Sequence, residues 1–298
     1  KRFNKSPDEI DFKLIEKIAN IKIPYPFPTT PVPKGDKTGE PLRIGITHAH
    51  HFYTRRNLYV LSALWSAYEN NPKGRLALTS VLIKTASLLH NIGLKDGKIN
   101  LAGALPNAMY IPSNLAERNL FQLIDGKIDD FMRANLERIK ARQVVTLGSL
   151  SAPYISDSSS RKIDYIFIDP PFGANLHYSE LSFLWEAWLG IVTNNEHEAI
   201  ENRTQGKRID DYRSLMTDCF KQAYETLRPG RWMTVEFSNT SSSVWNSIQT
   251  ALSDAGFVVG NVSALHKGQG TFNAQTNPTS VKQDLVISAY KPNGGFEE

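Results

Sequence analysis

Apolar residues recur along this chain at two different spacings, and the change falls near residue 143. Phe12, Ile15 and Ile18 stand three apart in a stretch, 7–22, that opens with Ser6 as N-cap and Pro7 at the first helical position. That pattern predicts a helix with one apolar face. Pro24-Tyr25-Pro26-Phe27-Pro28, with further prolines at 31, 33 and 41, cannot be helical and reads as an extended connector. Leu58, Leu61, Trp65 and Tyr68 mark a helix that begins after Thr54. Further helices are expected over 75–92 and 117–141, with a Gly/Asn/Pro-rich loop over 95–115 between them.

From 143 the rhythm shortens. Val144-Val145-Thr146-Leu147 reads as a short strand ending at Gly148, and Tyr165-Ile166-Phe167-Ile168 as a second, apolar on both faces as a buried parallel strand should be. A helix is expected from 179, carrying Leu181, Leu184, Trp185, Trp188 and Leu189 on one stripe, with both tryptophans in the core. Another spans 209–227 and stops before Pro229-Gly230. A strand at 232–237, a helix at 242–254 ending near Gly256, and strands at 257–264 and 284–290 complete the pattern. Alternating strands and helices with a closing antiparallel pair predict an α/β fold, the second half of a doubly wound sheet preceded by a mostly helical region. The expected divisions are 1–45, a helix plus Pro-rich connector; 46–142, a helical region; and 143–292, a catalytic core.

Composition removes several alternatives. The 298 residues contain one cysteine, Cys219, so no intrachain disulfide can form and a cysteine-based zinc cluster is not expected. No apolar run is long enough for a membrane span, and no signal peptide is visible at the start. Charge is uneven. Residues 1–150 hold 22 Lys+Arg against 13 Asp+Glu, whereas residues 151–298 hold 12 against 17. A basic half beside an acidic half fits a nucleic-acid-facing surface next to a catalytic core, and fits Lys-rich solvated helix faces equally well.

The candidate chemistry sits at Asp169-Pro170-Pro171-Phe172, directly after the 165–168 strand. Ligands of open α/β sheets bind outside the carboxyl ends of strands. These four residues resemble the Asp-Pro-Pro-Tyr signature of S-adenosylmethionine-dependent DNA amino-methyltransferases. The similarity extends to DYIFIDPPFGANLHYSELSFLWEAW (164–188), FYTRRNLYVLSALW (52–65), KGQGTF (267–272) and VKQDLVISAYKP (281–292), and so touches most of 46–292. The resemblance implies a Rossmann-like class I methyltransferase sheet and methyl transfer from S-adenosylmethionine to the exocyclic amine of a flipped base. Asp at the first position favours adenine N6 over cytosine N4. It also implies a DNA partner, a bacterial restriction-modification or phage-defence setting, and a cytoplasmic location.

The residue types suit that chemistry. An exocyclic amine is a poor nucleophile because its lone pair is delocalised into the ring. The Asp169 carboxylate and the Pro170 carbonyl can each accept one of its hydrogens and turn the lone pair toward the methyl donor. Two prolines fix φ and remove two N–H donors, which stiffens the turn. Phe172 offers a face on which an extruded base can stack. Asp169, Phe172 and Gly173 are the expected contacts to the cofactor.

Around this centre the expected substrate contacts are Asn175, His177, Tyr178, Lys267, Arg55 and Arg56. Ser179 is a contact or a helix cap. The loop 267–283 borders the base pocket by resemblance. Arg55 and Arg56 meet DNA phosphate or pair with carboxylates of the protein; Arg203, Lys207 and Arg208 form a second basic cluster. His48, His50 and His51 lack a carboxylate at a fitting spacing, so no metal is expected there. The family also carries an aromatic-x-Gly-x-Gly turn that wraps the methionine part of the cofactor, and this turn is absent from 1–298. The expectation is that an upstream segment or a second chain supplies it, pairs with the open edge of strand 165–168, and separates that strand from 144–147. A catalytically silent base- or DNA-binding subunit, and an RNA or protein amine methyltransferase, are the alternative readings.

Overall fold

A computed structural model describes residues 6–83, 86–95, 98–115, 117–138, 152, 162–238, 241–266 and 283–295. The chain divides into two compact units. The first takes residues 1–144 together with 179–193, and the second takes 145–178 and 194–298. The connector 1–45 thus groups with the helical region. The helix expected inside the core 143–292 groups there too.

In the first unit, α1 (Glu9–Ala19) starts later than the sequence pattern implies. Asp8 is its N-cap and forms a capping box with Asp11, which satisfies the first N–H groups better than Ser6 could. Its expected core face is largely in solvent, with Phe12 61% and Ile15 55% exposed. The connector runs through Pro31, which bridges His48, to α2 (Gly39–Arg43). A short 3₁₀ turn, Ala49–Phe52, leads to α3 (Arg55–Ala67). Here the expectation holds: the Thr54 side chain accepts from Asn57 N–H, and Leu58, Leu61 and Trp65 are buried. Next, α4 (Pro72–Leu82) begins at Pro72 behind an Asn71 cap and ends earlier than expected. The region read as a loop instead holds an antiparallel hairpin, β1 (Asn91–Lys95) and β2 (Lys98–Gly103). Finally, α5 (Leu120–Arg138) contributes Leu120 and Ile124 to the core.

The returning segment carries α6 (Tyr178–Leu181) and α7 (Phe183–Leu189). Ser179 lies inside α6 and is not its cap. Phe183, Leu184 and Trp188 are buried in the same cluster as Phe52, Leu61 and Leu78. The Trp188 indole N–H donates to the Tyr53 hydroxyl at 3.1 Å, and that of Trp185 donates to the Thr79 carbonyl at 2.9 Å. Glu180 is only 2% exposed. Its carboxylate accepts from the backbone N–H of Asp36, Lys37 and Thr38 at 3.2, 2.6 and 3.1 Å. Three successive N–H donors compensate the desolvation of a buried carboxylate that would otherwise be costly. Gly35 makes room for it, since a Cβ there would lie 2.1 Å from Glu180 Cδ.

The second unit is built on a four-stranded sheet, β3 (Ile163–Ile168), β4 (Leu227–Phe237), β5 (Val258–His266) and β6 (Gln283–Tyr290), in the order β3-β4-β6-β5. β3 and β4 are parallel; β6 is antiparallel to both β4 and β5. The unit is therefore mixed α/β, as the sequence pattern predicts. Two helices, α8 (Ile209–Thr226) and α9 (Ser242–Asp254), supply Tyr212, Met216, Phe220, Ile248 and Leu252 to a core with Met233, Val235, Phe237 and Ile287. Among the described residues the opposite face of the sheet is exposed at three positions: Tyr165 is 55%, Phe167 57% and Trp232 46% exposed. This corrects the expectation that β3 is buried on both faces. Only Ile166 and Ile168 pack inward, because side chains alternate across a strand. Among the described residues nothing pairs with the outer edge of β3. The expected strand 144–147 lies outside the described residues.

Candidate functional site

The turn at 169–173 leaves the carboxyl end of β3 beside the parallel strand β4. Asp169 is exposed and Pro170 is buried beneath it. The Pro171 carbonyl accepts the Tyr212 hydroxyl at 2.8 Å. Tyr212 itself is fully buried in the first turn of α8, and burial raises its pKa, so the hydroxyl stays a donor. Phe172 packs edge-on against Phe237, with ring centroids 5.4 Å apart and planes at 80°, and leaves part of its ring in solvent. Gly173 is held at φ +66°, where a side chain is strained, and a Cβ would lie 2.8 Å from Glu201 Oε1 and 3.2 Å from Val244 Cγ2. Its carbonyl accepts from Glu201 N–H at 3.3 Å. Two prolines, one buried tyrosine and a left-handed glycine thus fix the backbone that carries Asp169.

Tyr178 is 44% exposed. Its hydroxyl pKa is raised by partial burial and by the negative charges of Asp169 and Glu198, which places the phenol in the field of the Asp169 carboxylate. His177 is different. It is 3% exposed, and both ring nitrogens are engaged inside the protein. Asn202 Oδ1 accepts from Gln205 N–H, so its amide nitrogen faces His177 Nδ1 at 3.0 Å. Nδ1 is then the acceptor, and Nε2 carries the hydrogen toward the Ala174 carbonyl at 3.3 Å. His177 clasps the loop after the turn to the segment 198–207. Asn175 is exposed on that loop.

Two of the other predicted contacts, Arg55 and Arg56, belong to the first unit. Arg55 Nε and Nη2 donate to the Ile21 carbonyl at 3.0 and 2.6 Å, and Arg56 pairs with Glu117 at 2.8 Å. Thr54 also bonds Glu117. Arg56 thus pairs with a carboxylate of the protein, whereas Arg55 bonds a backbone carbonyl, which is neither of the two roles expected of it. Lys267 and the loop 267–282 lie outside the described residues. Arg203 and Arg208 are exposed, whereas the Lys207 ammonium donates to the Asn195 and Glu198 carbonyls, and burial lowers its pKa. His48, His50 and His51 cluster with centroids 4.3–5.6 Å apart. Among the described residues no group of His, Cys, Asp and Glu could hold a metal ion, and no helix is long and apolar enough to cross a membrane.

Two positions escape sequence reasoning. Tyr212 has one faint signal, an aromatic among the polar residues of a helix's first turn. Asn202 has another, since Asn202-Arg203-Thr204-Gln205-Gly206-Lys207 is a turn-forming run closed by the Asn202–Lys207 bridge.

No family model matches the chain, and no curated protein does. Solved structures do. A candidate DNA modification methylase from Thermus thermophilus matches at 14% identity and a TM-score of 0.29, over 50% of this chain and 53% of that one. M1.HpyAVI in complex with SAM matches at 14% and 0.31, over 50% and 54%. A methyltransferase homologue from Pyrococcus horikoshii matches at 16% and 0.28, over 56% and 50%. The chain spans about half the length of these structures. Likeness at this level decides neither fold nor activity.

Proposed function

We propose that this chain carries the target-amine side of an S-adenosylmethionine-dependent DNA amino-methyltransferase, with adenine N6 the preferred acceptor. Its sheet is then the C-terminal part of a Rossmann-like class I methyltransferase sheet. The observation that carries the reading is the Asp169 turn: an exposed carboxylate at the carboxyl end of a parallel strand, on a backbone locked by two prolines and the Tyr212–Pro171 bond.

The Asp169 carboxylate accepts one hydrogen of the target amine and the Pro170 carbonyl the other. The Pro171 carbonyl is occupied by Tyr212 and takes no part. Tyr178, two-fifths exposed on the segment that follows the turn, offers its phenol as a donor for the base or its sugar. Phe172 offers the exposed part of its ring to the base. The target must leave the duplex stack to reach the turn. S-adenosylmethionine supplies an electrophilic methyl group when bound. A carboxylate and an aromatic face fit the cationic end of that cofactor. Gly173 is the third expected cofactor contact, and it offers only its backbone, since Glu201 and Val244 fill the space that a side chain there would need. The Gly-rich cradle, supplied by an upstream segment or a second chain along the outer edge of β3, belongs to the same proposal.

The test is Asp169→Ala and Asp169→Asn in the complete protein, assayed by tritiated methyl transfer to unmethylated DNA. Loss of an interaction that strengthens in the transition state should lower turnover ~10²–10³-fold with thermal unfolding unchanged. Near-normal turnover overturns the assignment. Transfer to RNA or protein, with none to DNA, moves the site to a different substrate.

A further inference from the structure

Residues 202–208 form a surface turn that is held more firmly than a connector requires. Asn202 and Lys207 exchange both backbone bonds, N–H to carbonyl, at 3.0 and 2.9 Å, and the Gly206 N–H donates to the Arg203 carbonyl at 3.1 Å. Gly206 closes the turn at φ +71°. The Asn202 side chain is buried and meets Gln205 N–H on one side and His177 Nδ1 on the other. Through His177, and through the Glu201 N–H on the Gly173 carbonyl, the turn is tied to the loop that runs on from Asp169.

Its three cations are used differently. Lys207 faces inward beside Asn202 and spends its ammonium on the Asn195 and Glu198 carbonyls. Arg203 and Arg208, each one residue further on, face outward and are exposed. Neither guanidinium has a hydrogen bond or an ion pair among the described residues. The nearby carboxylates are engaged elsewhere: Asp210 pairs with Arg213 at 3.1 Å, Asp211 accepts from Arg208 N–H at 2.8 Å, and Glu198 accepts from Gln205 Nε2 at 3.4 Å. Arg208 also stands at the start of α8, where a helix disfavours a cation. The build of the turn accounts for Asn202, Gly206 and Lys207, and leaves both arginines without a local role.

A guanidinium presents a planar pair of donors that matches two oxygens of a phosphodiester. Such contacts fix the register of a protein on a strand without reading its sequence. We infer that Arg203 and Arg208 hold backbone phosphates of the DNA strand that delivers the target base to Asp169. The inference takes its partner from the proposed function; the braced turn and the two outward guanidiniums are its own observations. Residues 194–213 hold four Lys+Arg against five Asp+Glu, so the turn makes two point contacts and is not a basic patch that draws in polyanions from a distance.

The test is fluorescence anisotropy of the full chain with a labelled mixed-sequence DNA duplex over about 50–200 mM salt. Each phosphate contact adds ~0.9 to the log–log slope of affinity against salt. Arg203→Ala and Arg208→Ala should each lower the slope by about that amount, a roughly threefold smaller loss of affinity across the range. Arg203→Lys keeps the charge and should keep the slope. Arg213→Ala removes an exposed cation already paired with Asp210 and should leave the slope as it is. Salt-independent binding by the wild type, slopes unchanged in both arginine variants, or an equal drop in Arg213→Ala overturns the inference. A response confined to an RNA duplex overturns the DNA assignment. Lowered slopes beside near-normal turnover in Asp169→Ala keep the phosphate contacts and refute the amine assignment; unchanged slopes beside lost turnover do the reverse, so the two readings fail separately.

Discussion

Tyr212→Phe isolates one bond. The ring keeps its place among Met216, Phe220 and Phe237, and only the hydroxyl that reaches the Pro171 carbonyl at 2.8 Å is lost. A hydrogen bond contributes ~0.5–1.5 kcal/mol net, and a buried acceptor left without a partner costs ~1–3 kcal/mol. Pro171 is only half-buried, so water can partly replace the hydroxyl. The expected loss is about 1–2 kcal/mol, or roughly 3–8 °C in Tm for a unit of this size. Tyr212→Leu removes the ring as well, and the cavity term should raise the loss to ~3–5 kcal/mol. Catalysis supplies the sharper readout. If the bond holds the backbone that aims Asp169, releasing it should lower kcat about tenfold to a hundredfold with little change in KM, since a misplacement near 1 Å can cost ~10²-fold. Calorimetry and methyl-transfer kinetics on the same preparation measure both. A Tyr212→Phe protein with the Tm and kcat of wild type would refute the reasoning, because the prolines alone would then set the turn. A lowered Tm with kcat unchanged would confine Tyr212 to packing.

Glu180→Ala should destabilise the first unit by ~3–5 kcal/mol in chemical denaturation, because it strands the N–H groups of Asp36, Lys37 and Thr38. Gly35→Ala should act in the same direction, and a wild-type midpoint there would show that the connector shifts freely. Burial raises the hydroxyl pKa of Tyr53 and Tyr212 above the ordinary 10.0. Their contribution to stability is therefore fully present below pH 10 and lost as pH climbs beyond it, where the unfolded chain ionises first; Tyr53→Phe should flatten that alkaline fall. Burial also pushes the Cys219 thiol up to about 11, so iodoacetamide at about pH 8 should label native protein slowly and unfolded protein at once.

Helix 242–254 was legible to the residue, because an amphipathic run ends at a glycine with φ +93°. The Asp169 turn was legible for the same reason: Pro-Pro after an apolar strand leaves few conformations. Strand 163–168 shows the limit. Tyr165-Ile166-Phe167-Ile168 is apolar at every position, so its sequence cannot say which face is covered, and the structure covers only one. The hairpin at 91–103 was hidden by its glycines, although Asp96-Gly97 between two short runs is a turn dipeptide. Phe12 and Ile15 have helical spacing yet remain in solvent, since periodicity records a stripe and not what lies against it. His177 illustrates the converse, a polar residue in a functional-looking position whose two nitrogens hold a loop together. Neither the Glu180 cradle nor the Tyr212 bond could be read ahead of the fold, because each joins residues far apart in sequence.

The excursion of residues 179–193 into the first unit sets an order of events during synthesis. When the ribosome has released residues 1–144, the pocket that will hold Phe183, Leu184 and Trp188 has no occupant, and the Asp36–Thr38 amides have no carboxylate. At ~5–20 residues per second that interval lasts several seconds. The first half of the message thus encodes a body that cannot close until part of the second half has been translated. A gene split anywhere between the codons for 145 and 178 would yield an N-terminal product lacking the side chains its own interior requires.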